Sequence, residues 1–130
     1  MSTLPRSSQA LVDEALAEIT TIDIAEALRL QRDEGALLVD LREAVELETE
    51  GTIPGAHHTP RGLLEFVIDP QSAWHDPTFA DAARCYVLFC GIGWRSALAA
   101  RTMQQMGFAR VVHLGGGYSA WKAADSPAEG

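Results

Sequence analysis

Cysteine is scarce in this sequence: among 130 residues there are only Cys85 and Cys90. Two cysteines do not make the disulfide framework of a small secreted protein. If both lie on one strand, their odd spacing of five directs their side chains to opposite faces of the sheet. Cys85 has no glycine-rich loop and no helix start beside it, and we interpret it as a structural residue of the core.

Long apolar runs are also missing, and the longest are far too short to span a bilayer. Asp13, Glu14 and Glu18 interrupt the amino-terminal segment, where a secretory signal would be apolar. We therefore expect a cytoplasmic protein that does not act on a membrane. Basic residues are few, with 10 Lys and Arg against 18 Asp and Glu. This balance argues against nucleic acid as a partner, because binding nucleic acid requires a basic face.

The negative charge is concentrated in the first part of the chain. Residues 1–50 contain 12 of the 18 acidic residues and 4 of the 10 basic ones, whereas the remaining 80 residues are balanced. We interpret the acidic half as a solvated surface. The length suits one domain with a substantial core, and the sequence contains no internal repeat.

Neither a metal site nor a nucleotide site is predicted. The four histidines are not at metal-ligand spacing with a cysteine or a carboxylate (His57, His58, His75 and His113). Gly115, Gly117 and Ala120 match a dinucleotide-binding pattern, but only ten residues follow Ala120, too few for the rest of such a site. We interpret these glycines as a place of close backbone packing near Cys90, and we expect no cofactor.

Periodicity and capping residues predict alternating strands and helices. The predicted strands cover residues 36–40, 57–59, 86–89 and 110–114. The predicted helices cover residues 9–19 with Ser8 as cap, 24–33 between Asp23 and Gly35, 43–50, 63–68, 97–106 and 118–124, with a helical turn at 79–83. This alternation predicts an α/β fold, in which a central parallel sheet has helices on both faces and binds its ligand at the carboxyl ends of the strands.

The stretch that carries chemistry runs from Cys90 to Ser96. It starts where the apolar strand 86–89 ends, contains Gly91 and Gly93, and leads into a helix. Two glycines allow a tight loop with inward-facing N–H groups, and the helix start and Arg95 add positive charge. Such an environment favours a thiolate and binds an anion. Trp94 belongs to this loop and is a candidate wall of a substrate pocket, whereas we interpret Trp74 and Trp121 as packing residues.

The chain resembles the single-domain rhodanese-like sulfurtransferases in three segments. These are residues 39–56, which read Val-Asp-Leu-Arg-Glu at their start and Gly-Thr-Ile-Pro-Gly-Ala at their end; the six residues from Cys90 to Arg95; and residues 114–121, Leu-Gly-Gly-Gly-Tyr-Ser-Ala-Trp. Thr52 and His58 depart from the family pattern, which has histidine and asparagine there. The resemblance implies a rhodanese-like domain over residues 20–124. Residues 1–19 are then a lead-in with a helix that packs on this domain, and residues 125–130 a frayed tail.

The resemblance also implies a reaction. Cys90 takes a sulfur atom from thiosulfate or a similar small anionic donor, becomes a persulfide, and passes the sulfur to cyanide, to a thiol or to a sulfur-accepting protein. Cys90 and Arg95 are the catalytic residues in this prediction. The substrate-binding residues are Gly91, Ile92, Gly93, Trp94 and Ser96, with Arg61 as a weaker candidate.

Two other functions stay open from the residues alone. One is a phosphatase or arsenate reductase on a related scaffold, whose loop resembles this one but has five residues between Cys and Arg instead of four. The other is a non-catalytic interaction module that docks a partner through its acidic half.

Asp40 and Arg42 stand at the carboxyl end of another strand, the one predicted at residues 36–40. They form either an ion pair beside the Cys90 loop or a purely structural pair.

Overall fold

The computed structural model describes residues 4–124, and strands alternate with helices in that range. The strands are β1 (Thr20–Ile22), β2 (Leu37–Asp40), β3 (His57–His58), β4 (Cys85–Phe89) and β5 (Arg110–Leu114). The helices are α1 (Ser8–Glu18), α2 (Ile24–Glu34), α3 (Ala44–Glu50), α4 (Leu64–Ile68), α5 (Trp94–Gln105) and α6 (Gly117–Ala123), with 3-10 turns at Arg61–Leu63 and Pro77–Phe79. The tail predicted at residues 125–130 lies outside the described residues.

All strand pairs are parallel, and the strands of this sheet lie in the order β1-β5-β4-β2-β3. β4 is central and buried along its whole length, as its uninterrupted apolar sequence predicts. One face of the sheet packs against α4 and α5, and the other packs against α2 and α6. The predicted fold class, a parallel sheet with helices on both faces, is therefore confirmed.

Alternation along β4 places the two cysteines on opposite faces. Cys85 belongs to the cluster beneath α2 and α6, whereas Cys90 belongs to the cluster beneath α4 and α5. Both thiols are free, and burial raises the pKa of Cys85. Cys85 therefore has the environment of a core residue, in agreement with the sequence interpretation.

Capping chemistry sets the bounds of α2 as predicted. The Asp23 side chain accepts the N–H of Glu26 at 2.9 Å, and Gly35 ends the helix with φ 65°. The cap of α1 was predicted one residue too late, because the side chain of Ser7, not Ser8, accepts the N–H of Ala10. Helix α1 packs against α5 through Val12 and Ala15.

Other details differ from the predictions. β1 was not predicted: it has only three residues, and its pairing with β5 defines it. Leu11 and Leu16 belong to the apolar stripe that helical spacing predicts for α1, yet both are exposed. Trp74 was expected to pack, yet 77% of its surface is exposed; Trp121, expected to pack, is buried. The helical turn expected at 79–83 lies at Pro77–Phe79, where Asp76 caps it.

Candidate active site

The sulfur of Cys90 lies where β4 ends and α5 begins. The Cys90 loop, residues Cys90–Arg95, turns so that the N–H of Gly93 donates to Sγ at 3.2 Å. The N–H of Ser96, in the first turn of α5, donates to the same sulfur at 3.4 Å. First-turn N–H groups have no partner within their helix and therefore remain free to bind an anion. Helix α5 begins at Trp94, three residues earlier than predicted, which brings these groups to the sulfur.

The start of α6 supports the Cys90 loop from behind. Tyr118 donates its N–H to the carbonyl of Cys90 at 2.7 Å, and Ser119 donates to the carbonyl of Gly91 at 3.0 Å. A Cβ on Gly117 would lie only 2.4 Å from the Cys90 carbonyl oxygen, so glycine is required for this approach. The close backbone packing predicted for the glycine run is thereby confirmed. With its carbonyls held by α6, the loop directs N–H groups at the sulfur.

Arg95 is bound by a carboxylate that the sequence analysis did not single out as a site residue. Its Nη1 and Nη2 donate to the two carboxylate oxygens of Glu46 at 2.8 and 3.1 Å. These bonds hold the pKa of Glu46 at about 2 and raise that of Arg95. Glu46 also closes the capping box of α3 with Glu43. That local role is visible in the sequence, but the contact with Arg95 is not.

Two apolar side chains form the rim of the Cys90 loop. Ile92 is 54% exposed and Trp94 is 56% exposed. Cys90 itself has no exposed surface. The loop therefore exposes two apolar side chains while its cysteine is buried.

Behind the sulfur lies a polar chain that the sequence analysis did not predict. Ser96 Oγ is 3.6 Å from Cys90 Sγ and 3.0 Å from His113 Nδ1. The other ring nitrogen, His113 Nε2, is 2.9 Å from Thr21 Oγ1. Burial lowers the pKa of His113. In the sequence His113 is a candidate only for metal ligation, and Thr21 lies on β1, a strand that was not predicted.

The remaining polar candidates are bound elsewhere. Arg61 donates to Glu65 Oε1 at 2.9 Å and to Thr102 Oγ1 at 3.5 Å. His57 contacts Asp76, with Nε2 2.7 Å from Oδ2, and His58 Nε2 lies 2.7 Å from the carbonyl of Arg42. The structure thus gives Arg61 two partners outside the Cys90 loop, Glu65 and Thr102.

Asp40 and Arg42 form a fully buried ion pair. Arg42 donates from Nη2 to Asp40 Oδ2 at 2.9 Å and to the carbonyl of Gly51 at 2.7 Å. Its guanidinium lies 4.2 Å from the centre of the Tyr118 ring. Tyr118 belongs to α6, the helix that supports the Cys90 loop. Thr52 donates to Asp40 Oδ2 at 2.7 Å, so the residue that departs from the family pattern has a structural partner. These contacts favour the structural interpretation of the pair.

The fold and this loop define an α/β protein with a cysteine loop at the carboxyl edge of a parallel sheet. A family model described as the rhodanese-like domain matches residues 23–124, and the chain belongs to this family. The resemblance seen in the three sequence segments is therefore confirmed. Curated relatives of the chain are named sulfurtransferases.

A sulfurtransferase of Allochromatium vinosum is 36% identical over 93 residues, 72% of this chain and 78% of its own. A thiosulfate sulfurtransferase of Pseudomonas putida is 31% identical over 114 residues, 88% of this chain and 94% of its own. A solved structure from Rhodopseudomonas palustris, of a protein of unknown function described as a possible tyrosine phosphatase, is 41% identical with a TM-score of 0.92. That comparison covers 99% of this chain and 98% of the other.

The structure describes residues 4–124. Within that range, no group of three or more His, Cys, Asp or Glu side chains is arranged to hold a metal ion. None of the helices described there combines the length and the apolar character that crossing a membrane requires.

Proposed function

We propose that the protein is a sulfurtransferase that carries sulfur on Cys90. The Cys90 thiolate attacks the outer sulfur of thiosulfate, or of a similar anionic donor, and a new S–S bond forms as the S–S bond of the donor breaks. Sulfite leaves with the electron pair of that bond. Cyanide or a thiolate then attacks the terminal sulfur of the persulfide, and Cys90 is released as thiolate.

One observation carries the proposal: two backbone N–H groups point at the sulfur of Cys90, at 3.2 and 3.4 Å. Preorganised donors of this kind stabilise negative charge on a thiolate and on the outer sulfur of a persulfide. Arg95 supplies a cation for the donor, as its position next to Gly91 allows. The name of the Pseudomonas putida relative supports thiosulfate as the donor.

The proposal is tested by sulfur loading. The protein is incubated with thiosulfate, and intact mass measures whether one sulfur atom is added and whether cyanide removes it. We expect Cys90→Ser to abolish loading and the matched variant Cys85→Ser to load normally. Loading of the Cys90→Ser protein, or its absence in the wild type, contradicts the assignment.

Phosphate chemistry is a second candidate, because the Rhodopseudomonas palustris neighbour is described as a possible tyrosine phosphatase. Four residues separate Cys90 from Arg95, and a phosphoryl group with three equatorial oxygens needs a wider ring of donors than one sulfur atom. We therefore expect turnover of thiosulfate and none of an aryl phosphate at equal protein concentration. One residue inserted after Gly93 is expected to weaken sulfur transfer and to admit phosphate or arsenate. Faster hydrolysis of the phosphate ester by the wild type would make the phosphatase the better assignment.

A further inference from the structure

A chain of hydrogen bonds leads from Cys90 across β5 to β1. Cys90 Sγ lies 3.6 Å from Ser96 Oγ, which lies 3.0 Å from His113 Nδ1. His113 Nε2 lies 2.9 Å from Thr21 Oγ1. Cys90, Ser96 and His113 are buried, whereas Thr21 is exposed. These hydrogen bonds thus connect a thiol without exposed surface to a residue that is exposed.

Each intermediate group of the chain both donates and accepts. A hydroxyl has one hydrogen and two lone pairs, and a neutral imidazole has one N–H and one free nitrogen. Burial lowers the pKa of His113, so the ring is neutral at neutral pH. The Ser96 hydroxyl also lies 3.3 Å from the carbonyl of Gly93, which competes with His113 Nδ1 for its hydrogen. Along Cys90, Ser96, His113 and Thr21 the hydrogens have two continuous arrangements: they all point away from Cys90, or they all point toward it.

We propose that His113 is a positioning residue for Cys90, which sets the direction of the Ser96 hydroxyl and lets the thiol proton leave through Thr21. This inference rests on the proposed function, in which Cys90 reacts as a thiolate. In the thiol form, Cys90 donates to Ser96, Ser96 to Nδ1, and Nε2 to Thr21. On ionisation the S–H bond breaks, each hydrogen moves one place along the chain, and the hydroxyl proton of Thr21 passes to water.

The thiolate that results has three donors. Ser96 now donates its O–H to Sγ, beside the N–H groups of Gly93 and Ser96 at 3.2 and 3.4 Å. The ring stays neutral and carries its hydrogen on Nδ1 in place of Nε2. Hydrogen bonds to an ionised group are roughly twice as strong as neutral ones, so the inward arrangement stabilises the thiolate more than the outward one stabilises the thiol.

The charged groups near Cys90 are not members of this series of hydrogen bonds. Arg95 and its partner Glu46 lie next to Gly91. From α5 the ring of His113 is met by Ser96, and from β1 by Thr21. A substitution at His113 or Thr21 changes neither Arg95 nor Glu46. An experiment with such variants therefore distinguishes the effect of the hydrogen bonds from the effect of the charges beside the Cys90 loop.

The test is the alkylation rate of Cys90 by iodoacetamide, in the full chain carrying Cys85→Ser, between about pH 6 and 10. His113→Leu keeps an apolar side chain in the site but removes both nitrogens. We expect it to slow alkylation about threefold to tenfold near pH 7 and to have little effect at high pH, where the thiol is ionised in either protein. Thr21→Val is expected to have a smaller effect in the same direction.

Conservative variants and a neighbour serve as controls. His113→Asn, whose amide N–H can replace Nδ1–H, is expected to recover part of the alkylation rate that His113→Leu loses. Thr21→Ser keeps the hydroxyl and is expected to react at the wild-type rate. Thr20→Val removes an exposed hydroxyl of the same strand and is expected to behave as wild type.

An equal loss at every pH for His113→Leu would mean that the ring only fills space, and would overturn the inference. If His113→Leu does not fold, an unchanged profile for Thr21→Val overturns it. Alkylation needs no sulfur transfer, so failure of thiosulfate loading would refute the proposed function without affecting this measurement.

Discussion

Arg95 donates N–H groups from both of its terminal nitrogens to the two carboxylate oxygens of Glu46, which lies 49 positions earlier in the chain. The same carboxylate accepts the N–H of Glu43 at 2.9 Å and so closes the first turn of α3. One side chain therefore holds both a helix start and a cation beside the Cys90 loop. An anionic donor that binds Arg95 has to compete with Glu46 for it.

Glu46→Gln is expected to lower the KM for thiosulfate about threefold to tenfold, because the amide keeps the size of the side chain but removes its charge. We expect a smaller change in kcat. Steady-state kinetics with cyanide as acceptor measures both constants. Glu48→Gln, at an exposed position of the same helix, is the matched control. An unchanged or higher KM would show that Glu46 does not compete with the donor.

Arg95→Ala removes the guanidinium that we propose binds the donor through a charge-assisted contact. The expected cost is about 1.5–3 kcal/mol, or roughly tenfold to a hundredfold in kcat/KM. It also leaves Glu46 uncompensated beside the thiolate, so the double variant Arg95→Ala/Glu46→Gln should recover part of the activity. Arg32→Ala, at an exposed position of α2, is the control. Unchanged kinetics of Arg95→Ala would show that this guanidinium does not contact the donor.

Acid is expected to weaken the contribution of Glu46 to stability. Its pKa lies at about 2 in the folded protein, below the ordinary 4.5, because of Arg95. The contribution is therefore present above pH 4.5 and disappears as the pH falls toward 2. The difference in unfolding free energy between wild type and Glu46→Gln, measured by urea denaturation, should shrink over that range. Its size is modest because the pair is partly exposed, and a difference independent of pH would contradict the assignment.

Gly117→Ala is expected to displace the Cys90 loop. The added Cβ would lie 2.4 Å from the carbonyl oxygen of Cys90, and the residue has φ 57°. We expect a loss of about 2 kcal/mol or more in stability, together with a large loss of thiosulfate loading. Thermal unfolding and intact mass measure the two effects. Gly62→Ala adds a methyl group where no atom lies within 4 Å and should change neither, whereas normal loading by Gly117→Ala would refute the support by α6.

Arg42→Met is expected to destabilise the fold by about 3–5 kcal/mol, because it leaves the buried carboxylate of Asp40 without its cation. Urea denaturation measures the change. Arg32, exposed and paired with Asp33, is the control: Arg32→Met is expected to cost less than about 1 kcal/mol. If Arg42→Met and Arg32→Met cost the same, the buried pair does not stabilise the protein.

The sequence predicts the Cys90 loop well because its determinants are local. An apolar strand, two glycines and a helix start follow one another within about fifteen residues, and Asp23 and Gly35 mark helix ends by their own side-chain or backbone chemistry. The resemblance to the rhodanese-like family rests on three segments that occur in the family's order. The last of them contains Gly115–Gly117, the glycine run that supports the Cys90 loop.

What the sequence does not predict depends on contacts between distant residues. Glu46 has a sufficient local explanation as a capping residue, so nothing in the sequence requires a second partner. The short, largely exposed strand β1 has no periodicity that could reveal it, and without β1 the link from Thr21 to His113 cannot be foreseen. Trp74 was misassigned because a large aromatic residue usually packs, whereas here it lies with Leu63 and Phe66 on an apolar surface.

The order of the chain determines when this site can exist during synthesis. Cys90 is translated before the residues that hold its loop, since Tyr118 and Ser119 donate their N–H groups to the carbonyls of Cys90 and Gly91. When β4 and α5 have left the ribosome but α6 has not, the nascent chain contains Cys90 but lacks the residues that support its loop. The cysteine therefore acquires its full environment only after nearly all of the rhodanese-like domain has left the ribosome, so the sulfur site matures together with the fold.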